Sequence, residues 1–351
     1  RMKRTVTIVE LDARKLRVLG AIVETYIRTG DPVGSKWVAQ QLGGLVSPAT
    51  IRNDMAALFD MGLIEQPHTS SGRIPSHLGF RVYIDRLMPV TPLSQEEKDQ
   101  INAIFNVLNP DPDRLLEDAA KVLARLTGCA AVCTTYIPQG VTVRQLNLIG
   151  VGSRTVVILL VASNGIIKNK VCRVDFNVTQ ELLTFFNSFA AGRLVGMSIN
   201  DLAEGYLSAA SVALGEYAQV FNSILSAIFD LCREVSGGQY YQSGASNLLA
   251  YDELRQGARD VFQLLQNRAA VWEMIFSQQK EPLQIRVGRE NPSQELADFS
   301  LMVCRYNIDK DNTGAIGILG PVRMDYARLV PHLEYFAQTL GKLLADTMDG
   351  H

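Results

Sequence analysis

Between Ser47 and Arg73 lies the densest run of residues able to read a duplex: Ala49, Thr50, Arg52 and Asn53, followed by His68, Thr69, Ser70, Ser71 and Arg73. An Asn side chain can pair bidentately with adenine and an Arg with guanine, while Ala or the Thr methyl can touch a thymine methyl. Those types need a helix that holds them on one exposed line. Ser47 is an N-cap candidate, Pro48 stands where a missing N–H costs nothing, and Gly62 follows the last helical residue. Ile51, Met55 and Leu58 then form the inward stripe. Stepping about 100° per residue from that stripe turns Ala49, Asn53 and Ala56 outward, with Thr50 and Arg52 beside them. Asp54 and Asp60 are expected to face away from phosphate or to hold Arg52.

Two further helices must support this one. Leu16, Leu19, Ile22, Val23, Tyr26 and Ile27 predict a first helix from about Asp12 to Arg28, ended by Gly30, Asp31 and Pro32. Ser35 is the expected N-cap of a second, short helix that carries Lys36 and buries Trp37 or Val38 with Ala39 and Leu42. After Gly62 the period changes. Leu63 to Gln66 reads as a strand, Pro67 to Gly72 as a polar loop and Arg73 to Pro75 as the returning edge, together a wing whose tip offers hydroxyls, backbone N–H groups, His68 and Arg73 to phosphate or a minor groove. The sequence thus spells a winged helix-turn-helix in residues 1–90, where duplex DNA is the expected partner.

Charge follows the same division. Residues 1–90 hold 12 Lys/Arg against 8 Asp/Glu, a net of +4; of the chain's 34 and 36 this leaves 22 against 28, a net of −6. No acidic residue falls between Asp31 and Asp54 or between Glu65 and Asp85, whereas Lys36, Arg52, Arg73 and Arg81 do, so these stretches are the ones expected to meet phosphate. A three-helix module with a hairpin can also bind protein, so a scaffold that never touches DNA stays open at this stage.

These residues resemble the bacterial heat-inducible transcription repressors of the HrcA family. PVGS at 32–35, SPATIRNDMA at 47–56, GLI at 62–64, QPHTSSGRIPS at 66–76 and GFR at 79–81 carry the likeness, with ENP at 290–292 and GILGPVRMDY at 317–326 near the other end. Phe59-Asp60, Ser71, Ser76 and Phe80 are mild departures from the family pattern. The resemblance implies a homodimer that represses chaperone operons at an inverted-repeat operator, the CIRCE element, is kept active by the GroE chaperonin and is relieved by heat. It further implies a central GAF-like domain and an inserted dimerisation domain.

The rest of the 351-residue chain is 47% hydrophobic and 20% charged, which is globular composition. Helices are expected at 94–127, 180–190, 215–235 and 325–346. Strands are expected at 130–136, 141–150, 155–162, 166–174, 239–242, 283–288, 299–306 and 315–319. Strands in two groups with flanking helices indicate an α+β multidomain protein. Its antiparallel GAF-like domain would be discontinuous, at 91–190 and 276–351, with a mostly helical dimerising insert at 191–275. Glu290, Asn291, Arg323 and Asp325 read as turn and helix-end groups. Pro331 would be an interior kink in its helix at a cost of about 3 kcal/mol unless packing compensates.

No cofactor or metal is expected. The five cysteines and four histidines show no ligand spacing, and the P-loop, GxSxG and HExxH patterns are missing, so the chain does not read as an enzyme. The longest apolar run, Val156 to Ala162, is far short of the ~20 residues of a membrane span, and Lys3 and Arg4 precede no leader-like stretch. The expected location is the bacterial cytoplasm, at the nucleoid. A metabolite-sensing winged-helix regulator, using a GAF-like domain as its receptor, is the alternative.

Overall fold

The computed structural model describes residues 11–44, 46–67, 72–105, 112–136, 141–163, 165–204, 214–236, 238–255, 257–276, 281–308 and 313–348. It is a mixed α+β fold with antiparallel sheets.

The chain begins with helix α1 (Ala13–Thr29), whose Leu19, Ile22 and Val23 are fully buried. Its N-cap is Asp12, which accepts from Lys15 N at 2.8 Å. Helix α2 (Ser35–Gln41) is capped by Gly34, so Ser35 is its first residue rather than its cap. The reason lies next door. Val33 exchanges both backbone hydrogen bonds with Arg73, at 2.8 and 2.9 Å, and this holds the chain extended until residue 34. Val38, not Trp37, fills the core; Trp37 is 44% exposed and donates its indole N–H to Thr25 Oγ1.

Helix α3 (Pro48–Asp60) is followed by a ribbon of β1 (Ile64–Glu65) and β2 (Ile74–Pro75), with Ile64 opposite Pro75 and Glu65 opposite Ile74. Helix α4 (His77–Arg86) starts at Ser76, whose hydroxyl accepts from Gly79 N and donates to Gly62 O. That one side chain ties the start of α4 to the turn after α3.

After residues 87–94 come α5 (Gln95–Ile104) and α6 (Pro112–Thr127), then β3 (Ala130–Tyr136). Next follow β4 (Val143–Gly152), β5 (Thr155–Ala162), β6 (Ile167–Arg173), α7 (Gln180–Arg193), α8 (Ile199–Glu204) and α9 (Ala218–Ser236). The chain then forms β7 (Gln239–Ser243), α10 (Ala258–Gln266), α11 (Arg268–Phe276), β8 (Leu283–Val287), β9 (Phe299–Asn307), β10 (Thr313–Pro321) and α12 (Tyr326–Met348). Pro331 lies inside α12, and the helix continues across it.

The strands do not all join one sheet. One antiparallel sheet has the order β7-β3-β10-β9-β8, and a second contains β4-β5-β6 alone. The five-stranded sheet is covered on both faces. Ala131, Cys133, Ile316 and Ile318 pack with α6 and α12, while Ala130, Val132, Leu301, Val303 and Leu319 face α10 and α11. The three-stranded sheet has its own core: Val156, Ile158 and Leu160 against Phe186 of α7 and Phe221, Ile224 and Ile228 of α9.

This corrects the expected partition. The 143–173 strands pack with α7 to α9 as a unit spanning about 141–236, instead of completing the sheet of residues 283–321. Residues 239–243, expected in the insert, pair with β3 in the larger sheet. The expected limits at 190/191 and 275/276 therefore cut through packed units.

Candidate nucleic-acid interface

Helix α3 stands on α1 and α2 through Ile51, Met55 and Leu58, all buried. Its opposite side carries Ala49, Arg52, Asn53 and Ala56, all exposed, with Thr50 half-buried. Ser47 caps it, accepting from Thr50 N at 3.2 Å while its hydroxyl meets that of Thr50 at 3.0 Å. A Ser cap contributes about 1 kcal/mol, and with no N–H on Pro48 and that of Thr50 taken by the cap, the Ala49 N–H is the first-turn donor left for an anion, where the helix dipole favours negative charge. Lys36 is exposed on the neighbouring α2.

Asp54 does not hold Arg52. It is 2% exposed and takes a two-pronged pair from Arg14 of α1, Nε to Oδ2 at 2.8 Å and Nη2 to Oδ1 at 3.0 Å. The hydrogen bond to Asp54 raises the Arg14 pKa. This strut removes one of the two carboxylates of α3 from its outer side and fixes how α3 is rotated on α1.

Arg73 enters β2 with its guanidinium over the Phe59 ring, 5.3 Å from the centroid. Its Nε is buried without a partner among the described residues. Stacking places this cation beside the C-terminal half of α3. His68, Thr69, Ser70 and Ser71, the expected wing tip, lie outside the described residues.

Arg81 departs from the phosphate-facing role its stretch suggested. It turns toward the far end of the chain, donating from Nε to Glu290 Oε1 at 2.9 Å, from Nη1 to Asp85 at 3.1 Å and from Nη2 to the Ile285 carbonyl at 2.6 Å. Burial alone would lower the Arg81 pKa; Glu290 and Asp85 outweigh it and raise the value.

Three comparisons place this geometry among known proteins. A model of the HrcA protein C-terminal domain matches residues 113–330. The chain is 33% identical over 345 residues to the heat-inducible transcription repressor HrcA of Clostridium tetani (strain Massachusetts / E88), covering 97% of this chain and 98% of that protein. The HrcA of Desulforudis audaxviator (strain MP104C) is 34% identical over 339 residues, covering 95% and 98%. The chain belongs to the HrcA family of heat-inducible transcription repressors. Its fold is shared with a crystal structure described as a hypothetical protein at 2.2 Å resolution, with a TM-score of 0.71, 23% identity, and coverage of 96% and 100%.

The HrcA-like residues near the C-terminus have structural jobs that sequence reasoning missed in part. Asn291 is a turn residue as expected, its amide donating to the carbonyls of Gly288, Leu296 and Phe299 at 2.8, 3.1 and 2.9 Å. Asp325 accepts from Arg328 N at the start of α12. Glu290 and Arg323 reach further. Glu290 accepts from Val287 N and grips Arg81, while Arg323 pairs with Glu253 at 2.5 Å and stands where a Cβ at Gly30, at the end of α1, would touch it. Gly288 has φ +55, and a Cβ there would run into the His77 ring and the Ala297 carbonyl. Arg81, Glu290 and Arg323 belong to the family motifs, whereas nothing in the sequence marked Glu253.

Among the described residues, no group of three or more His, Cys, Asp or Glu could hold a metal ion. No helix among them is long and apolar enough to cross a membrane.

Proposed function

We propose that this HrcA-family repressor binds an inverted-repeat operator as a homodimer, each winged helix-turn-helix laying α3 in a major groove. The observation that carries this reading is the outward line of α3: Ala49, Arg52, Asn53 and Ala56, with Asp54 turned inward and the exposed Asp60 at the far, C-terminal end, behind a Ser47 cap and beside the stacked Arg73. Small residues let the helix approach closely, Arg52 and Asn53 read base edges, and Ser47, Thr50, Lys36, Arg73 and the wing tip contact the backbone. The task is binding, not catalysis.

One such module contacts few base pairs, so useful affinity calls for a second copy. The unit of residues 141–236 offers a surface for it. In the three-stranded sheet Ile149, Val157 and Val171 stand in register, as do Val161 and Ile167, on the side opposite the core. Ile149, Val151, Ile167 and Val171 are between 45% and 64% exposed. An apolar sheet face of this kind, broken only by Asn147 and Asn169 on either side of Leu159, marks a protein interface, and a second copy supplies the matching surface. The larger sheet is read as the GAF-like domain, and the family resemblance supports control of chaperone operons through a protein, the GroE chaperonin. Heat relieves repression.

Fluorescence anisotropy against an inverted-repeat duplex, at several salt concentrations, tests the reading. The expected result is sequence-selective binding whose affinity falls steeply with salt. Equal binding to random duplex, or none, would refute it.

A further inference from the structure

Besides the apolar cluster it shares with α6 and α12 and a bond from Arg289 N to His77 Nδ1 at 3.3 Å, the N-terminal unit is seated on the other end of the chain at three points. Arg81 of α4 grips Glu290 and the Ile285 carbonyl at the first. At the second, Phe80 of α4 meets Tyr326 of α12 edge-on, with ring centroids 6.2 Å apart. Tyr326 is fully buried and is itself anchored, its hydroxyl donating to the Val322 carbonyl at 2.6 Å and meeting that of Ser300 at 2.6 Å. At the third, the Arg323 guanidinium stands beside Gly30 at the C-terminus of α1, where a Cβ in place of the glycine hydrogen would meet it at 3.4 Å, and it is held there by Glu253, 5.6 Å from the centre of the Tyr251 ring.

Three contacts on two helices fix both the position and the rotation of a rigid unit. The covalent link would not. The eight residues 87–94 between α4 and α5 could span roughly 26–29 Å if extended, enough to leave orientation undefined. None of the outward residues of α3 takes part in the seam. Opening it would leave the reading surface of one module intact and change only where that surface points.

We propose that this seam, through Glu290 and Glu253, is the device that sets operator spacing: it fixes the angle at which each α3 leaves its protomer and so selects one half-site separation. The inference rests on the dimeric operator-binding reading above. Two modules on loose tethers accept many separations, with avidity falling slowly as the span changes. Two docked modules accept the separation that matches the protein's two-fold axis. Glu290 and Glu253 are positioning residues here, since they touch Arg81 and Arg323 rather than DNA.

The test measures affinity for inverted repeats whose half-site separation is varied in single base-pair steps, together with a lone half-site, for the wild type and the E290Q/E253Q double variant. The Glu290→Gln side chain can still accept from Val287 N, so the local turn is kept while the charge of both clamps is lost. The wild type is expected to favour one separation by about tenfold over its neighbours, and the double variant to flatten that preference to about threefold or less with unchanged half-site affinity. If the double variant is unfolded by circular dichroism, the single E253Q variant, which alters only the Gly30 end, is expected to show a smaller flattening. A folded variant that keeps the wild-type spacing profile overturns the inference. A wild type that binds the lone half-site but shows no spacing preference overturns it as well, whereas a wild type that ignores both duplexes overturns the operator reading beneath it.

Discussion

At the scale of single residues, neighbours on α3 have unlike tasks. Arg52 and Asn53 face outward, where the proposed function has them read bases; Asp54, one position on, is turned inward to Arg14. Truncating Asn53 or Arg52 to Ala should cost about 1 to 3 kcal/mol on the operator with little change on random duplex. Anisotropy titrations on both duplexes check it, and an equal loss on both would mean these side chains serve only as backbone contacts. Arg73→Ala should weaken both duplexes alike and reduce the salt slope by about one. The outward and inward faces were legible because a cap, a proline and an apolar stripe determine the phase of a helix. The Arg14–Asp54 pair was not. Its partners are 40 residues apart, and no local pattern marks which arginine a buried carboxylate will meet. Arg81 was misread for the same reason, since its partner Glu290 lies 209 residues away.

Among the elements, α3 depends on its ends. Ser47→Ala removes the acceptor for Thr50 N and should lower stability by about 1 kcal/mol in urea titrations, with a parallel loss of operator affinity as the first turn frays. A stability unchanged by that substitution would show that tertiary packing alone holds the turn. The start of α1 should respond to acid. Asp12 is hydrogen-bonded to the Lys15 side chain and to its backbone N–H, which brings its carboxyl from an ordinary 3.8 down to about 2. A depressed carboxyl stabilises fully above its unfolded value and loses that contribution as pH falls toward its folded value. The cap on α1 should therefore be complete above about pH 5 and disappear on the way down to about pH 2, measurable as lost helicity in an acid titration. Strand identity was readable from alternation and from β-branched runs, but strand partnership was not. Residues 143–173 and 283–321 look alike as strands. What separates them is that the first group finds its core in Phe186 and Phe221 and the second in α6 and α12. A helix feature contributes too: the Asn187 amide of α7 accepts from Leu148 N at 2.7 Å and donates to Leu148 O at 3.1 Å, closing part of the β4 edge that another strand could have used.

For the whole molecule, the proposed tasks of DNA reading, pairing and docking fall to separate parts of one chain. The basic N-terminal unit would read, the apolar outer face of the three-stranded sheet would pair two copies, and the five-stranded sheet unit carries the docking seam. Placing a charge in the pairing face, as in Val171→Glu, should convert the protein to a monomer by sedimentation velocity and cost at least roughly tenfold in affinity for the inverted repeat, with little effect on a lone half-site. A variant that stays dimeric would place the partner surface elsewhere. The decisive measurement is a hydroxyl-radical footprint of the wild-type protein on an inverted-repeat operator. Two protected patches related by the dyad, each centred on a major groove facing the protein, are the expected result. A single patch, or uniform protection along the duplex, would contradict dimeric operator binding.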